Sequence, residues 1–142
     1  MTLLFVYGTL KQGFPNHPLN TGRRVPGEYR TVQPLPLYVV RLPQEERAPW
    51  LMHLPGQGHC VSGQLFEVPD DALPSIDAFE EVGLPDGYER VALTVVSQSD
   101  GQPLQAYAYL KPEHQMHRCL AVEGPFHEYT LALAEGYWIS RG

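Results

Sequence analysis

The chain has 142 residues, 43% of them apolar and 18% charged, with a formal net charge of −6. Such a length fits one domain, 1–142, with a real core, and the composition excludes a disordered chain. Nucleic acid is excluded as a natural partner because the densest cationic stretch is only Arg23-Arg24, and no run of about 18 apolar residues offers a membrane-spanning helix.

Met1–Tyr7 is too short for a signal peptide and carries no basic leader. Leu3–Tyr7 therefore reads as a buried strand of the mature protein, punctuated by Gly8. Without a leader the cytoplasm is the expected location, where Cys60 and Cys119 are expected as free thiols. Gly13, Pro15, Asn16 and Pro18 mark a loop. Leu35–Leu42 predicts a second strand, Gln44–Ala48 a charged loop, and Trp50–Leu54 a third strand before the turn Pro55-Gly56-Gln57-Gly58. Val61–Val68 alternates as a strand does. Asp70–Glu81 breaks the strand rhythm and reads as a helix, with acidic residues at its front and Pro74 in its first turn. Arg90–Ser97 and Leu104–Leu110 predict a hairpin turning at Ser99–Gln102. Phe126–Tyr137 predicts a second short helix. Fourteen prolines and thirteen glycines add many turns, so the expected class is β-rich.

The helix holds the first chemical candidate. Leu73, Ile76 and Glu80 are spaced i, i+3, i+7 and share one face. Glu81 lies about 100° further round, so Glu80 is expected inward and Glu81 outward. An inward carboxylate is desolvated, which raises its pKa above about 4.3, as a general acid/base near neutral pH requires. Helical phase by itself favours the plainer reading, a glutamate at the edge of the stripe that reaches water.

Tyr7-Gly8-Thr9-Leu10 also has two readings. A glycine after a strand is an ordinary turn residue. A turn whose backbone N–H groups converge also holds a carboxylate or an oxyanion. Other chemistries lack their signatures: there is no HExxH, no GxSxG elbow and no phosphate loop, and His114 and His117 lack a partner set for a metal. Tyr88, Tyr107 and Tyr109 read first as half-buried strand aromatics.

Several stretches taken together resemble one family. VYGTLKQG with Pro15-Asn16-His17, PWLMHLPGQG (49–58), VSGQLFEV (61–68), IDAFE (76–80) and GYERV (87–91) are similar, in order and spacing, to the γ-glutamylcyclotransferase-like superfamily. The PWL-x-HLPG-x-G stretch points to its γ-glutamylamine cyclotransferase branch. The resemblance implies an α+β fold: a small bent β-barrel with short helices and a pocket at one end. It implies cleavage of a γ-glutamylamine, such as γ-glutamyl-ε-lysine, to 5-oxoproline and a free amine, with neither metal nor organic cofactor. It puts the catalytic glutamate on Glu80 and the substrate-binding loop on Tyr7, Gly8, Thr9 and Leu10. Tyr88 falls on a pocket tyrosine and Asp77 on a supporting aspartate. The expected partner is a small γ-glutamyl molecule; the oligomeric state is not implied. Two alternatives stay open: a cyclotransferase for other γ-glutamyl amino acids or γ-glutamyl-protected amines, and a non-catalytic module that binds a small carboxylate. The segment 126–142 departs from the branch, although Glu123-Gly124-Pro125 resembles a short piece of it.

Overall fold

A computed structural model describes residues 1–140. Its strands are β1 (Thr2–Val6), β2 (Arg23–Thr31), β3 (Leu37–Leu42), β4 (Glu45–Leu51), β5 (Ser62–Val68), β6 (Glu89–Ser97), β7 (Pro103–Leu110), β8 (Ala121–Phe126) and β9 (Trp138–Ile139), with helices α1 (Leu73–Phe79) and α2 (Leu131–Ala134). Five strands close a barrel in the order β1-β5-β2-β6-β7, and four form a second sheet, β8-β3-β4-β9. The barrel closes through a parallel contact of β1 with β7, Leu4 opposite Tyr107. Closure leaves the barrel strands no bare edge.

Alternation explains why β1 reads as an unbroken apolar run. Successive side chains point to opposite faces of a strand. Phe5 and Tyr7 join Leu65, Ala106, Ala108 and Leu110 in the main core, which Leu37, Val39 and Leu51 of the second sheet complete. Leu4 and Val6 face the other way, with Phe66, Val68 and Tyr109, against Ile76 of α1. Both faces of β1 are thus covered, which requires apolar residues at every position. A third cluster, centred on Trp50 and Met52, packs the far face of the second sheet against Tyr88 and Met116.

The strands expected at 3–7, 35–42, 61–68, 90–97 and 104–110 are present within two residues at each end. Three strands escaped the sequence reading. β2 is largely exposed, contains Pro26 and Gly27, and shifts register between Val25 and Tyr29, so it shows no clean alternation. β8 is mostly exposed and β9 is two residues long. The charged stretch 44–48, expected as a loop, mostly belongs to β4, which ends at Leu51; pairing with β3 and β9 overrides its polarity. The helix expected over 70–81 is a 3-10 turn at Asp70–Ala72 followed by α1. The helix expected over 126–137 shrinks to Leu131–Ala134, with Phe126 in β8. Cys60 and Cys119 are free thiols, and no helix among the described residues is long and apolar enough to cross a membrane.

Candidate active site

A cleft of about 730 Å³, counted with its open mouth, lies where one end of the barrel meets the second sheet. The turn Tyr7–Leu10 forms one wall, Phe79–Glu81 at the end of α1 another, and Glu45, Tyr137 and Ile139 a third. Tyr88, Tyr109, Lys111 and Arg118 complete it.

The turn is closed from behind. Lys11 N–H donates to Gly8 O at 3.1 Å and Asn16 N–H to Thr9 O at 2.8 Å. Asn16 Nδ2 also donates to Thr9 Oγ1 at 2.9 Å. Lys11, itself buried, donates to Tyr129 O at 2.6 Å, tying the turn to the segment that carries α2. Gly8 is required by contact: a Cβ there would stand 2.6 Å from Pro49 Cγ. That contact joins two stretches far apart in sequence, VYGTL and PWL. Tyr7 points into the core, its hydroxyl donating to Tyr109 O at 2.6 Å. Burial first, and the nearby Glu80 carboxylate second, push that phenol well above its ordinary range, so Tyr7 is a neutral donor that holds geometry.

Glu80 caps α1. Its N–H donates to Ile76 O at 2.9 Å and its carbonyl accepts from Tyr88 N–H at 3.0 Å. Its side chain is half-buried on the cleft wall, and its charge is felt by Tyr7, Tyr88, Tyr109, Tyr137 and Lys111. Glu80 thus faces the cleft while staying half-exposed, between the inward placement and the plainer stripe-edge one. The outward placement expected of Glu81 is not found: Glu81 is half-buried and lines the cleft too. Helical phase fails there because the helix has already ended, and Glu81 takes a left-handed backbone with φ 58°. The loop folds back so tightly that a Cβ on Gly87 would meet Glu81 O at 1.7 Å.

Asp77 stands behind the cleft wall. Its Oδ1 accepts from Tyr109 Oη at 2.7 Å, and its Oδ2 pairs with Arg90 Nη1 at 2.9 Å. Tyr109 in turn receives the Tyr7 hydroxyl, so Asp77 reaches the turn through one intermediary. Tyr88 lines the cleft and donates its hydroxyl to Pro49 O at 3.1 Å.

Lys111, Gln115 and Arg118 were missed by sequence reasoning. Gln115 is only 1% exposed. Its amide nitrogen donates to Pro85 O at 3.3 Å and Gly87 O at 2.8 Å; its amide oxygen accepts from Lys111 Nζ at 3.0 Å and Arg118 Nη1 at 2.8 Å. Lys111 also donates to Asp86 O at 2.7 Å and lies 4.3 Å from the centre of the Tyr88 ring. Burial, with Arg118 second, lowers the Lys111 pKa to about 8. Together these residues pin the loop 81–88 that leaves Glu80. An isolated lysine, glutamine and arginine in a polar stretch carry no motif that could have announced this.

A sequence model of the family described as "Gamma-glutamyl cyclotransferase, AIG2-like" matches residues 4–132. The chain belongs to this family. A gamma-glutamylaminecyclotransferase of Rattus norvegicus is 43% identical over 100 residues, covering 67% of this chain and 64% of the relative, so the match spans somewhat less than two thirds of that protein's length. One of Mus musculus is 38% identical over 120 residues, 77% of each chain. The crystal structure of an AIG2-like protein from Mus musculus superposes with a TM-score of 0.74 at 34% identity, covering 92% of this chain and 88% of the other. The barrel with few short helices is thus this family's fold. Tyr137 and Ile139 lie beyond the family match, in the segment whose departure was noted above; the last two residues of that segment, 141 and 142, lie outside the described residues.

Proposed function

We propose that the chain is a γ-glutamylamine cyclotransferase in which Glu80 is the general acid/base. The observation that carries this reading is the meeting, in one cleft, of the Tyr7–Leu10 turn with the glutamate that caps α1. Membership of the family supports it, as do the names of the curated relatives.

The substrate supplies its own nucleophile. Its α-amine attacks its γ-carbonyl carbon, a C–N bond of a five-membered lactam forms, and the C–N bond to the leaving amine breaks. Oriented intramolecular attack is worth an effective molarity of roughly 10⁵–10⁸ M, so the protein's tasks are to fold the glutamyl chain and to move protons. Glu80 takes a proton from the α-nitrogen and returns one to the departing nitrogen. The turn's backbone N–H groups hold the α-carboxylate or the developing oxyanion; Gly8 permits the close approach. Tyr88 borders the same space, and Asp77 supports the wall through Tyr109.

The test is product analysis with γ-glutamyl-ε-lysine and its α-linked isomer. The reading requires 5-oxoproline and lysine in equal amounts from the first and neither from the second, whose γ-carboxyl carries no amine to release. A chain that binds γ-glutamyl compounds without releasing 5-oxoproline would be the carboxylate-binding module instead.

A further inference from the structure

The Tyr7–Leu10 turn lies outside every helix and strand, yet three of its carbonyls are taken. Gly8 O accepts Lys11 N–H at 3.1 Å, Thr9 O accepts Asn16 N–H at 2.8 Å, and Leu10 O accepts Asn20 Nδ2 at 3.3 Å. Oxygens held this way cannot swing toward an anion that the turn's N–H groups would bind.

Two side chains carry the turn to a distant part of the chain. Lys11 Nζ donates to Tyr129 O at 2.6 Å and stands 4.2 Å from the centre of the Phe14 ring. Asn16 Nδ2 donates to Thr9 Oγ1 at 2.9 Å and to Tyr137 Oη at 3.0 Å. Tyr129 and Tyr137 bracket α2, and their segment is fastened to β4. Tyr129 Oη donates to Arg47 O at 2.6 Å, Arg47 Nε donates to Leu133 O at 2.9 Å, and β9 pairs with Glu45 and Glu46. The same strand bears Pro49, which locks Gly8. Turn, segment and strand thus hold one another.

We propose that Tyr129–Tyr137 is a strap whose ties to Lys11 and Asn16 set the position of the substrate turn, with Lys11, Asn16 and Tyr137 as positioning residues. The inference rests on the cyclotransferase reading. Lys11 is only 4% exposed, and burial pulls its pKa below the ordinary lysine value. Lysine is rarely buried so fully unless it is paired, because a desolvated ammonium is costly. An apolar side chain would fill the space beside Phe14 without that cost, so packing alone does not call for a cation. What the ammonium adds is a charge-assisted bond, about twice as strong as a neutral one, between the residue that closes the turn and the segment behind it. Lys11 and Tyr129 are not among the residues lining the cleft, so Lys11 acts through Gly8, whose carbonyl its N–H holds. Tyr137 lies past residue 132, where the family match ends, so the Asn16 tie stands outside what that match covers.

Amide hydrogen exchange and kinetics on Lys11→Met, Lys11→Arg and Tyr137→Phe test the strap. The reporter is the Asn16 N–H, which donates to Thr9 O. Charged hydrogen bonds outweigh neutral ones, so Asn16 exchange should quicken at least ~10-fold in Lys11→Met and ~2–10-fold in Tyr137→Phe. Amides of the β6–β7 hairpin should keep their rates. The kcat for 5-oxoproline release from γ-glutamyl-ε-lysine should fall in the same order, by at least ~10-fold in Lys11→Met, as a misplaced binding group requires. Lys11→Arg still donates to Tyr129 O and should recover part of both. If Lys11→Met does not fold, Tyr137→Phe, which removes one oxygen, decides. Unchanged Asn16 exchange would overturn the strap. So would exchange that quickens equally at the turn and the hairpin, or a kcat that does not move in the folded variants. Faster Asn16 exchange beside a wild type that releases no 5-oxoproline would leave the strap standing and overturn the cyclotransferase reading.

Discussion

The two ends of the cleft are built differently. The inner end stands on the barrel: a turn leaving β1, locked against Pro49, faces a glutamate that caps α1. Its side chains come from elements with strong sequence periodicity. The outer end, around Glu45, Arg118 and Ile139, is assembled from the charged start of β4, a 3-10 turn at Glu113–Arg118 and β9, held by side-chain hydrogen bonds. The contrast teaches that one cleft can join a wall fixed by a barrel strand and a helix end to a rim fixed by side-chain hydrogen bonds.

The largest effect should come from the inner end. Glu80→Gln keeps the shape and cannot take a proton, so activity should fall ~10²–10⁴-fold with the melting temperature nearly unchanged. Glu81→Gln, one residue away, should cost far less. Similar losses for both would erase the distinction between the two ends.

Next comes the lock on the turn. Gly8→Ala forces a Cβ to within 2.6 Å of the Pro49 ring, displacing either the turn or β4. A misplacement of about 1 Å costs on the order of 10²-fold in rate, and overpacking about 1–3 kcal/mol in stability. Steady-state kinetics and denaturant unfolding read the two separately; a fully active Gly8→Ala would mean the turn's position is unimportant.

The pin beneath the outer end predicts a stability effect. Gln115→Leu strands the buried carbonyl of Gly87 and removes an acceptor from the buried Lys111 and from Arg118. Each orphaned group costs about 1–3 kcal/mol, so chemical denaturation should show a loss of several kcal/mol. A loss under about 1 kcal/mol would show that the loop after Glu80 is held by something else.

The smallest effect is a pH dependence. The Lys111 pKa is lowered to about 8 from 10.5, so between those values the unfolded chain binds more protons than the folded one. Stability from this group therefore rises with pH across that window; its cost is full below about pH 8 and gone above about 10.5. At 1.36 kcal/mol per unit the gain is at most about 3 kcal/mol. Wild type should gain on Lys111→Met as pH rises from 8 to 10; a constant difference would mean the folded lysine titrates normally.

The inner end was legible in sequence because its parts are local. Tyr7–Leu10 and Glu80 lie in short contiguous stretches, VYGTL and IDAFE, that carry the family resemblance, although helical phase by itself favours a glutamate at the edge of the stripe. The barrel strands β5, β6 and β7 announced themselves in contiguous stretches too. The outer end was not legible because tertiary contacts make it. Glu45 sits in a stretch that reads as a loop until β3 and β9 pair with it. Gln115 is a polar residue whose burial depends on a distant loop, and Glu81 turns to the cleft only because a left-handed residue ends the helix. Phase arguments hold for as long as the helix does.

The most direct measurement sets wild type beside Glu80→Gln on γ-glutamyl-ε-lysine and follows 5-oxoproline. The account expects steady release by the wild type and a rate lower by at least ~10²-fold in the folded variant. Equal rates from both would contradict it, because the proton would then be moved by some group other than the glutamate at the end of α1.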